Sequence, residues 1–380
     1  MRRVVIAMDS FKGSLSSEEA GTALAEGLRQ AISDVDICVV PIADGGEGTA
    51  EAVAIARRGR YVETEATDPL GRRIVSRYVT IDNGSTAIIA LSAASGLTLL
   101  STEERNPLIT TTYGTGELIL DALRRGARNV VVGLGGSATT DGGVGLLRAL
   151  GFRFYDCEGK EISGPTIDLL ERVERIDNTA ISSLLRSASL SAMVDVDNPL
   201  LGVRGAANIF ARQKGASDGD VERLERALSH YAAVVARFVG HDRAMEAGSG
   251  AAGGVGFALR ALLGAELTSG IEAILDIVDI DSRIATCNLV VTGEGRIDSQ
   301  TLMGKAPSGV LRRAVKYGAK CVAVGGCVEW SKQLDDSAFT RIYQSKPDTM
   351  THSEAMTPTT ARANLRAVGR RIATEFLIRK

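Results

Sequence analysis

Short apolar runs that lead directly into glycines and charged residues constrain the fold of this chain more than any other feature. Leu289–Val291 is such a run, followed by Gly293, Glu294 and Gly295, and a helical pattern begins near Pro307. Continuous apolar runs of this length are typical of parallel strands buried on both faces. The pattern predicts a strand that stops before Gly293. Ligands bind beyond the carboxyl ends of such strands, so the loop is a candidate site.

The N-terminal end of the chain repeats this arrangement. Val4–Ala7 and Ile37–Val40 are apolar runs, each followed by a polar, glycine-containing loop. A helix is predicted between them, because Ser16 and Glu19 have the spacing of a capping box. The carboxyl ends of parallel strands lie at one edge of a sheet. The residues expected to converge at this edge are Asp9, Lys12, Asp44 and Glu47.

The middle of the chain has a different pattern. From Tyr61 polar and apolar residues alternate, with turn signals at 68–71 and at Asn83-Gly84. Such alternation favours an antiparallel or mixed sheet. We therefore predict an α/β fold with two α/β domains. One is a discontinuous parallel-sheet domain formed by residues 1–62 and 286–380, and residues 63–285 form an inserted mixed α/β domain.

Composition excludes several classes of partner. The formal net charge is only −2, so no basic field is present to hold a nucleic acid. The five cysteines are scattered, which favours a reducing compartment. The first residues contain an apolar run too short for a signal peptide or a membrane span. We expect a cytoplasmic protein that binds neither nucleic acid nor membrane.

Two glycine-containing segments can be compared with known nucleotide-binding motifs by the spacing of their residues. Gly304-Lys305 is followed by Ala306, so the Walker pattern is absent and a P-loop NTPase is disfavoured. The segment GLGGSA after the run Val130–Val132 imitates a dinucleotide fingerprint, with Asp156 about twenty residues further on. An NAD(P)-dependent oxidoreductase is therefore an alternative, although TTDGG interrupts the place where the pyrophosphate helix should run.

Several glycine loops that also carry Ser, Thr and Asp suit phosphate binding, because backbone N–H groups can approach the anion. Phosphoryl transfer also requires carboxylates and cations. The candidate carboxylates are Asp9, Asp44, Asp195, Asp197, Glu294 and Asp298. The candidate cations are Lys12, Lys214, Arg296 and Lys305. Simpler interpretations stay open: Asp44 and Asp141 have the features of helix or turn caps, and Lys214 and Lys305 those of surface lysines.

Taken together, the motifs resemble the type-1 glycerate kinase family. They occur in the family's order as DSFKGSLSS, PIADGGEGT, DPLGR, TTYGTGELI, GLGGSATTDGGVGLLRALG, DVDNPLLG, QKGAS, GSGAAGGVG and GEGRIDSQTLMGKAP. The resemblance implies an ATP- and Mg²⁺-dependent kinase that converts D-glycerate to 2-phosphoglycerate. It also implies that the discontinuous domain is flavodoxin-like and that the active site lies in the cleft between the domains.

Residue roles follow from the matched motifs and from chemistry. Asp195 is the predicted general base, with Asp44 as the competing candidate. Lys12 and Arg296 are expected to hold the glycerate carboxylate or the transferring phosphoryl group. The other predicted substrate-binding residues are Asp9, Ser10, Gly45, Gly46 and Glu294. The predicted nucleotide-binding residues are Gly135, Gly136, Ser137, Thr139 and Lys214, and the predicted Mg²⁺ ligands are Asp197 and Asp298.

The sequence leaves other questions open. A non-catalytic sugar-acid-binding protein with the same fold is a second alternative to the kinase. The expected partners are D-glycerate and ATP. The oligomeric state, monomer or homodimer, is not predicted, because no heptad pattern or exposed apolar stripe is evident.

Overall fold

The computed structural model describes residues 2–46 and 48–378. Glu47 lies outside the described residues, so its expected place at the sheet edge stays a prediction. The chain divides into two compact units. The first contains Met1–Asp44, Glu51–Arg58 and Ile271–Lys380, and the second contains Gly45–Ala50 and Gly59–Gly270. The predicted domain limits, 1–62 with 286–380 and 63–285, stay a prediction.

The strands and helices are numbered in chain order. The strands are β1 (Arg2–Met8), β2 (Val35–Val39), β3 (Arg60–Thr67), β4 (Arg73–Ile81), β5 (Thr86–Ala90), β6 (Asn129–Gly133), β7 (Arg153–Tyr155), β8 (Arg175–Asp177), β9 (Ser189–Val194), β10 (Glu266–Ser269), β11 (Leu289–Ile297), β12 (Lys320–Val328) and β13 (Arg341–Gln344). The helices are α1 (Ser17–Ala31), α2 (Thr49–Arg57), α3 (Ser92–Ser95), α4 (Tyr113–Arg124), α5 (Val144–Ala149), α6 (Thr166–Arg172), α7 (Ala206–Phe210), α8 (Asp218–Val239), α9 (Ala251–Leu263), α10 (Gly270–Ile277), α11 (Ile280–Ile284), α12 (Ala306–Lys316), α13 (Lys332–Asp335), α14 (His352–Met356) and α15 (Pro358–Ile372). Short 3₁₀ turns include Leu97–Leu99, Arg212–Lys214 and Ser299–Met303, and a π-helical turn, Ala373–Leu377, follows α15.

The first unit is built on a parallel sheet. Its five strands lie in the order β2, β1, β11, β12, β13. Counted along the unit's own chain this is the order 2-1-3-4-5 of flavodoxin-like folds. Val4 lies opposite Leu289 and Ile6 opposite Val291, and the side chains of β1 from Val4 onward are fully buried. The runs Val4–Ala7 and Leu289–Val291 therefore form buried parallel strands, as predicted, whereas the run that begins at Ile37 lies in the half-buried edge strand β2.

Strand β11 differs from the sequence prediction, which ended it before Gly293. The strand continues through both glycines to Ile297, because its neighbour β12 stays in register with it. Glu294 pairs with Gly325, and Arg296 pairs with Cys327. Glu294 and Arg296 consequently stand on the strand rather than on a loop after it.

Helices α1 and α15 cover part of this sheet. The capping box of Ser16 and Glu19 is present at the start of α1, as predicted. Leu24, Leu28 and Leu365 are fully buried in the shared core of the two helices and the sheet. The buried face is what holds the helices in place, since amphipathic burial contributes more to helix stability than propensity does.

The second unit contains a mixed sheet of six strands in the order β10, β9, β6, β5, β4, β3. β3, β4 and β5 pair antiparallel, whereas β5, β6, β9 and β10 pair parallel. The predicted turn at 68–71 joins β3 to β4, where the Gly71 N–H donates to the Asp68 carbonyl at 3.0 Å. β7 and β8 form a separate two-stranded antiparallel sheet. The α/β class, with one parallel and one mixed sheet, is confirmed.

The amphipathic pattern of Asp218–Val239 predicts a long helix, and α8 spans these residues. Its Ser217 cap forms a capping box with Asp220. None of the helices in the described part of the chain combines the length and the apolar character needed to cross a membrane.

Candidate active site

A cavity of about 330 Å³ lies at the carboxyl ends of β1, β11 and β12 in the first unit. We call it the Asp9 cavity. The predicted site residues that line it are Asp9, Ser10, Lys12, Asp44, Glu294 and Arg296. The structure thus brings together three carboxylates and two cations that are widely separated in sequence.

Asp9 is the most deeply buried carboxylate of this cavity, with 5% of its surface exposed. Its N–H donates to the Gly293 carbonyl at 2.9 Å, and its Oδ1 accepts from the Ser10 N–H at 2.6 Å. Burial, followed by the negative charges of Asp44 and Glu294, raises the pKa of Asp9 to about 7. Asp9 therefore exchanges a proton near neutral pH.

Glu294 has a raised pKa for the same leading reason, burial. Its Oε1 accepts from the Thr301 hydroxyl at 2.8 Å, and its Oε2 lies 3.9 Å from the Lys305 ammonium. The hydroxyl and the ammonium favour the charged form and so limit the rise.

Arg296 and Asp298 stand next to this cluster. Arg296 is largely exposed, donates to Glu329 and lies 3.6 Å from Asp298. Asp298 caps the 3₁₀ turn Ser299–Met303, where its Oδ1 accepts from the Gln300 N–H at 2.9 Å. The predicted metal ligand Asp298 is thus already engaged by a backbone amide and by cations.

A second cavity, of about 290 Å³, lies in the second unit. We call it the Lys214 cavity. The predicted site residues that line it are Gly135, Gly136, Ser137, Asp195 and Lys214. The glycine loop after β6 and the predicted general base therefore share one cavity.

Lys214 is buried, with 2% of its surface exposed, so the alternative of a surface lysine is wrong. Its Nζ donates to the Thr139 carbonyl at 2.5 Å. Burial lowers the pKa of Lys214 to about 8, against the opposing charge of Asp141. A buried ammonium with little solvent around it is well suited to pairing with an anion that enters the cavity.

Ser137 and Thr139 are linked to each other. Their hydroxyl oxygens lie 2.9 Å apart, and the Thr139 N–H donates to the Ser137 hydroxyl at 3.1 Å. Thr139 is fully buried and does not line the cavity, whereas Ser137 does. The structure therefore gives Thr139 a supporting position behind Ser137.

Asp141 accepts hydrogen bonds at the starts of two helices. This agrees with the simpler interpretation of the sequence, in which Asp141 is a helix or turn cap. It is fully buried and accepts from the N–H and hydroxyl of Thr112, at 2.8 and 2.7 Å, at the start of α4. It also accepts from the N–H groups of Gly143 and Gly145 at the start of α5. Burial raises the pKa of Asp141, and these four donors oppose that rise.

Gly45 and Gly46 fall in the second unit and line a small cavity together with Gly133 and Gly135. A Cβ added to Gly45 would lie 3.2 Å from Asp195 Oδ2, and the Gly45 φ is +102°.

Asp197 lies outside the lining of the Lys214 cavity. Its exposed carboxylate pairs with Arg204 at 2.7 Å.

The predicted metal ligands, Asp197 and Asp298, do not belong to a preformed metal site among the described residues. Within residues 2–46 and 48–378, no group of three or more His, Cys, Asp or Glu side chains is arranged to hold a metal ion. Mg²⁺ is usually bound by only one or two carboxylates together with substrate phosphates. Asp197 fits that requirement, since an exposed ion pair such as its pair with Arg204 is weak and readily exchanged.

Two residues near Glu294 and Asp298 were not among the predicted substrate-binding residues, although Lys305 was a candidate cation. Lys305 lines the cavity and lies 3.6 Å from Asp298, and Thr301 donates to Glu294. The Gly304-Lys305 pair made the lysine a candidate cation, but without Walker spacing it did not assign the lysine to this cavity. The turn Ser299–Met303 brings the Thr301 hydroxyl to the Glu294 carboxylate.

Comparison with known proteins identifies the family. Residues 4–377 match the model of the glycerate kinase family. The chain belongs to this family. It is 45% identical over 324 residues to a glycerate 2-kinase from Escherichia coli (strain K12), covering 85% of each chain. It is 43% identical over 326 residues to a glycerate kinase from Bacillus subtilis (strain 168), covering 86% of this chain and 85% of the relative.

A solved crystal structure from Salmonella typhimurium LT2, described as a glycerate kinase 2, has the same fold. The TM-score is 0.89 at 40% sequence identity, covering 98% of this chain and 97% of the other. Membership of the glycerate kinase family makes the chain a kinase and an enzyme, and a kinase family implies the use of ATP.

The position of Asp156 argues against the oxidoreductase alternative. A dinucleotide fold places this acid at the end of a strand neighbouring the fingerprint strand. Asp156 instead follows β7, which pairs with β8 in the small two-stranded sheet, whereas the fingerprint strand β6 belongs to the six-stranded sheet. Its Oδ1 accepts from the N–H groups of Glu158 and Lys160 and so closes a turn.

Proposed function

We propose that this chain catalyses the Mg²⁺- and ATP-dependent phosphorylation of D-glycerate to 2-phosphoglycerate. The observation that carries the proposal is the Lys214 cavity, where a glycine loop, a buried ammonium and the Asp195 carboxylate meet. These groups supply what phosphoryl transfer requires, namely anion binding, charge neutralisation and a proton acceptor.

The nucleotide phosphates bind in the Lys214 cavity. The backbone N–H groups of Gly135 and Gly136 and the Ser137 hydroxyl donate to phosphate oxygens, and Lys214 neutralises their charge. The Thr139 carbonyl holds the Lys214 ammonium in place at 2.5 Å. Asp197 would hold Mg²⁺ together with the nucleotide, and the metal would there neutralise the negative charge that develops in the transfer.

D-Glycerate binds in the Asp9 cavity. The cations Lys12, Arg296 and Lys305 attract its carboxylate, and Arg offers the planar fork that matches a carboxylate. Asp9 and Glu294, whose pKa values are raised, hold hydroxyl groups of the acid by hydrogen bonds. A cavity of about 330 Å³ is spacious for a three-carbon acid, so longer sugar acids are worth including in an acceptor screen.

Asp195 is the proposed general base, and Asp44 is the second candidate. The base removes the proton of the 2-hydroxyl as that oxygen bonds to the γ-phosphorus, and the bond to the bridging oxygen breaks to release ADP. The predicted location of this step, a cleft between the two domains, stays a prediction.

An assay that couples ADP release to added D-glycerate tests the function. The kinase should release ADP only when D-glycerate and Mg²⁺ are both present, and phosphorus NMR of the product should show 2-phosphoglycerate. Turnover that instead requires NAD(P), or binding heat from D-glycerate without ADP release, would contradict the proposal. A 3-phosphoglycerate signal would keep the kinase and change the acceptor hydroxyl.

A further inference from the structure

Part of the lining of the Lys214 cavity is apolar, and such a surface contributes nothing to the binding of phosphate groups. Beside the glycine loop and the charged residues, the cavity is lined by the apolar side chains of Leu97, Leu134, Val194, Val196 and Phe210. Val196 is 36% exposed, and Phe210 and Leu97 are half-buried. Apolar surface of this kind next to an anion site favours a ligand with both a charged and a flat apolar part.

Phe210, Gln213 and Lys214 belong to one continuous helical segment. Phe210 ends α7, Ala211 keeps helical backbone angles, with φ −71° and ψ −33°, and the turn Arg212–Lys214 follows. Residues three and four apart lie on the same side of a helix. The Phe210 ring, the Gln213 amide and the Lys214 ammonium therefore line the same cavity from one element.

Gln213 and Phe210 carry the two kinds of group that recognise a purine. A base stacks on an aromatic ring through its π-face, with little dependence on which base it is. A glutamine amide pairs with adenine by donating to N7 and accepting from the exocyclic N6 amine. Guanine presents two acceptors, N7 and O6, at the same edge, so the single amide cannot satisfy both in that geometry.

We infer that the Lys214 cavity is a complete adenosine-nucleotide site, in which Phe210 stacks the base and Gln213 selects adenine over guanine. The inference rests on the proposed function in placing the phosphates at the glycine loop and Lys214. The cavity volume of about 290 Å³ is close to the lower end of the range of about 300–1,000 Å³ for small-molecule sites.

Calorimetric binding of ATP and of GTP, measured without D-glycerate, tests the inference apart from the reaction. Phe210→Ala should weaken the binding of both nucleotides by about 5- to 100-fold, because stacking does not discriminate between bases. Gln213→Ala should weaken the binding of ATP by about 5- to 100-fold and leave that of GTP almost unchanged, so the preference for ATP falls. In turnover assays the KM for D-glycerate should not change in either variant.

Phe238→Ala and Gln333→Ala are matched controls, because both side chains are exposed and neither lines the Lys214 cavity. They should bind ATP like the wild type. Phe210→Leu keeps most of the apolar volume and replaces Phe210→Ala if that variant does not fold, as judged by its thermal midpoint.

Wild-type affinity for ATP in Phe210→Ala and Gln213→Ala, or an unchanged ATP to GTP ratio in Gln213→Ala, would overturn the inference. Tight ATP binding that depends on both residues, in a protein that does not phosphorylate D-glycerate, would support the inference and remove the proposed function. A wild-type protein that binds no nucleotide would overturn both.

Discussion

Two buried ionisable residues, Asp9 and Lys214, bear most directly on the proposed chemistry. Both were singled out from the sequence by their place beside glycine loops, but their depth of burial was not predictable. Asp9 is buried because β1 ends in the middle of the sheet, and Lys214 is buried against the glycine loop, where its ammonium donates to the Thr139 carbonyl. These contacts join segments far apart in the sequence, which local patterns do not report.

The raised pKa of Asp9 makes stability depend on pH. Because the folded state holds this proton more tightly than the unfolded chain, stability falls as pH rises from about 4 to about 7 and stays low above that. We expect Asp9→Asn to remove this loss, with a gain in unfolding free energy of at most roughly 4 kcal/mol above pH 7.

Denaturant unfolding at pH 5 and at pH 8 measures this effect. Asp34→Asn, at an exposed position, is the control and should follow the wild type. Equal gains for Asp9→Asn at both pH values would contradict the assignment.

Lys214 gives the opposite pH dependence. Its lowered pKa means that the unfolded chain binds the proton more tightly, so the wild type gains stability as pH rises from about 8 to about 10.5. Below pH 8 the buried charge is destabilising. Lys214→Met should therefore raise the unfolding free energy at pH 7 by up to roughly 3 kcal/mol, less the loss of the Thr139 hydrogen bond.

The same variant should bind ATP weakly. A variant that is less stable at pH 7 and binds ATP normally would show that the lysine has a structural role only.

The choice of general base is a separate prediction. Asp195→Asn should lower kcat by about 10²- to 10⁴-fold, because the amide cannot accept the hydroxyl proton. Asp44→Asn should have a smaller effect. Single-turnover measurements with saturating D-glycerate separate the chemical step from binding. A reversed order of the two variants would make Asp44 the base, and full activity in both would exclude a carboxylate base among them.

At the scale of elements, the glycine loop after β6 is supported by the start of α9. Ala252, Gly253 and Gly254 have left-handed backbone angles there, and the Gly142 N–H donates to the Gly253 carbonyl at 2.9 Å. The sequence presented GSGAAGG as one more glycine loop that could bind phosphate. The structure shows instead that its glycines permit close packing against the neighbouring loop.

Gly253→Ala tests this packing. Its φ is +68°, and the new Cβ would lie 2.1 Å from the Thr139 carbonyl oxygen, which is the acceptor for Lys214. We expect a loss of about 2–4 kcal/mol in stability and a higher KM for ATP. Gly219→Ala is the control: it sits in α8 with open space around it and should change stability by no more than about 1 kcal/mol. Thermal unfolding compares the two variants, and similar midpoints would contradict the expected packing role.

Helices and strands were predicted correctly where the hydrophobic pattern of a segment is long. They were predicted incorrectly where pairing with a neighbouring strand determines the conformation. The helix α8 and the start of β11 follow from local patterns. The extension of β11 from Gly293 to Ile297 does not, because pairing with β12 holds this part of the strand extended. β13, with four residues, was too short to be detected.

At the scale of the whole molecule, the two cavities lie in separate units, so their ligands should stabilise the protein independently. At one hundred times its Kd, each ligand should add about 2.7 kcal/mol to the unfolding free energy. Lys12→Met should lose the thermal shift caused by D-glycerate and keep that of ATP, and Lys214→Met should do the reverse. Scanning fluorimetry with each ligand alone measures the shifts. Loss of both shifts in either variant would contradict the separate assignment.

The fold class and the family could be predicted from the sequence, because ordered motifs run along the whole chain. The residues of the candidate site could be predicted only in part. Residue types and strand ends predicted that Asp9, Lys12 and Asp44 would lie together, and all three line the Asp9 cavity. The contacts of Lys305 depend on how a short turn folds back, and no spacing rule encodes that. Cytoplasmic location stays a prediction.

The pairing of β1 with β11 has a consequence for synthesis. Val4 finds its partner Leu289 only after about three quarters of the 380 residues have been made. At about 5–20 residues per second, translation takes roughly 15 to 60 s to cover that distance. During that interval the apolar strand Arg2–Met8 has β2 but not β11 beside it. Newly made chains should therefore depend on holding chaperones at the N-terminal strand, while the continuous segment Gly59–Gly270 can already fold on the ribosome.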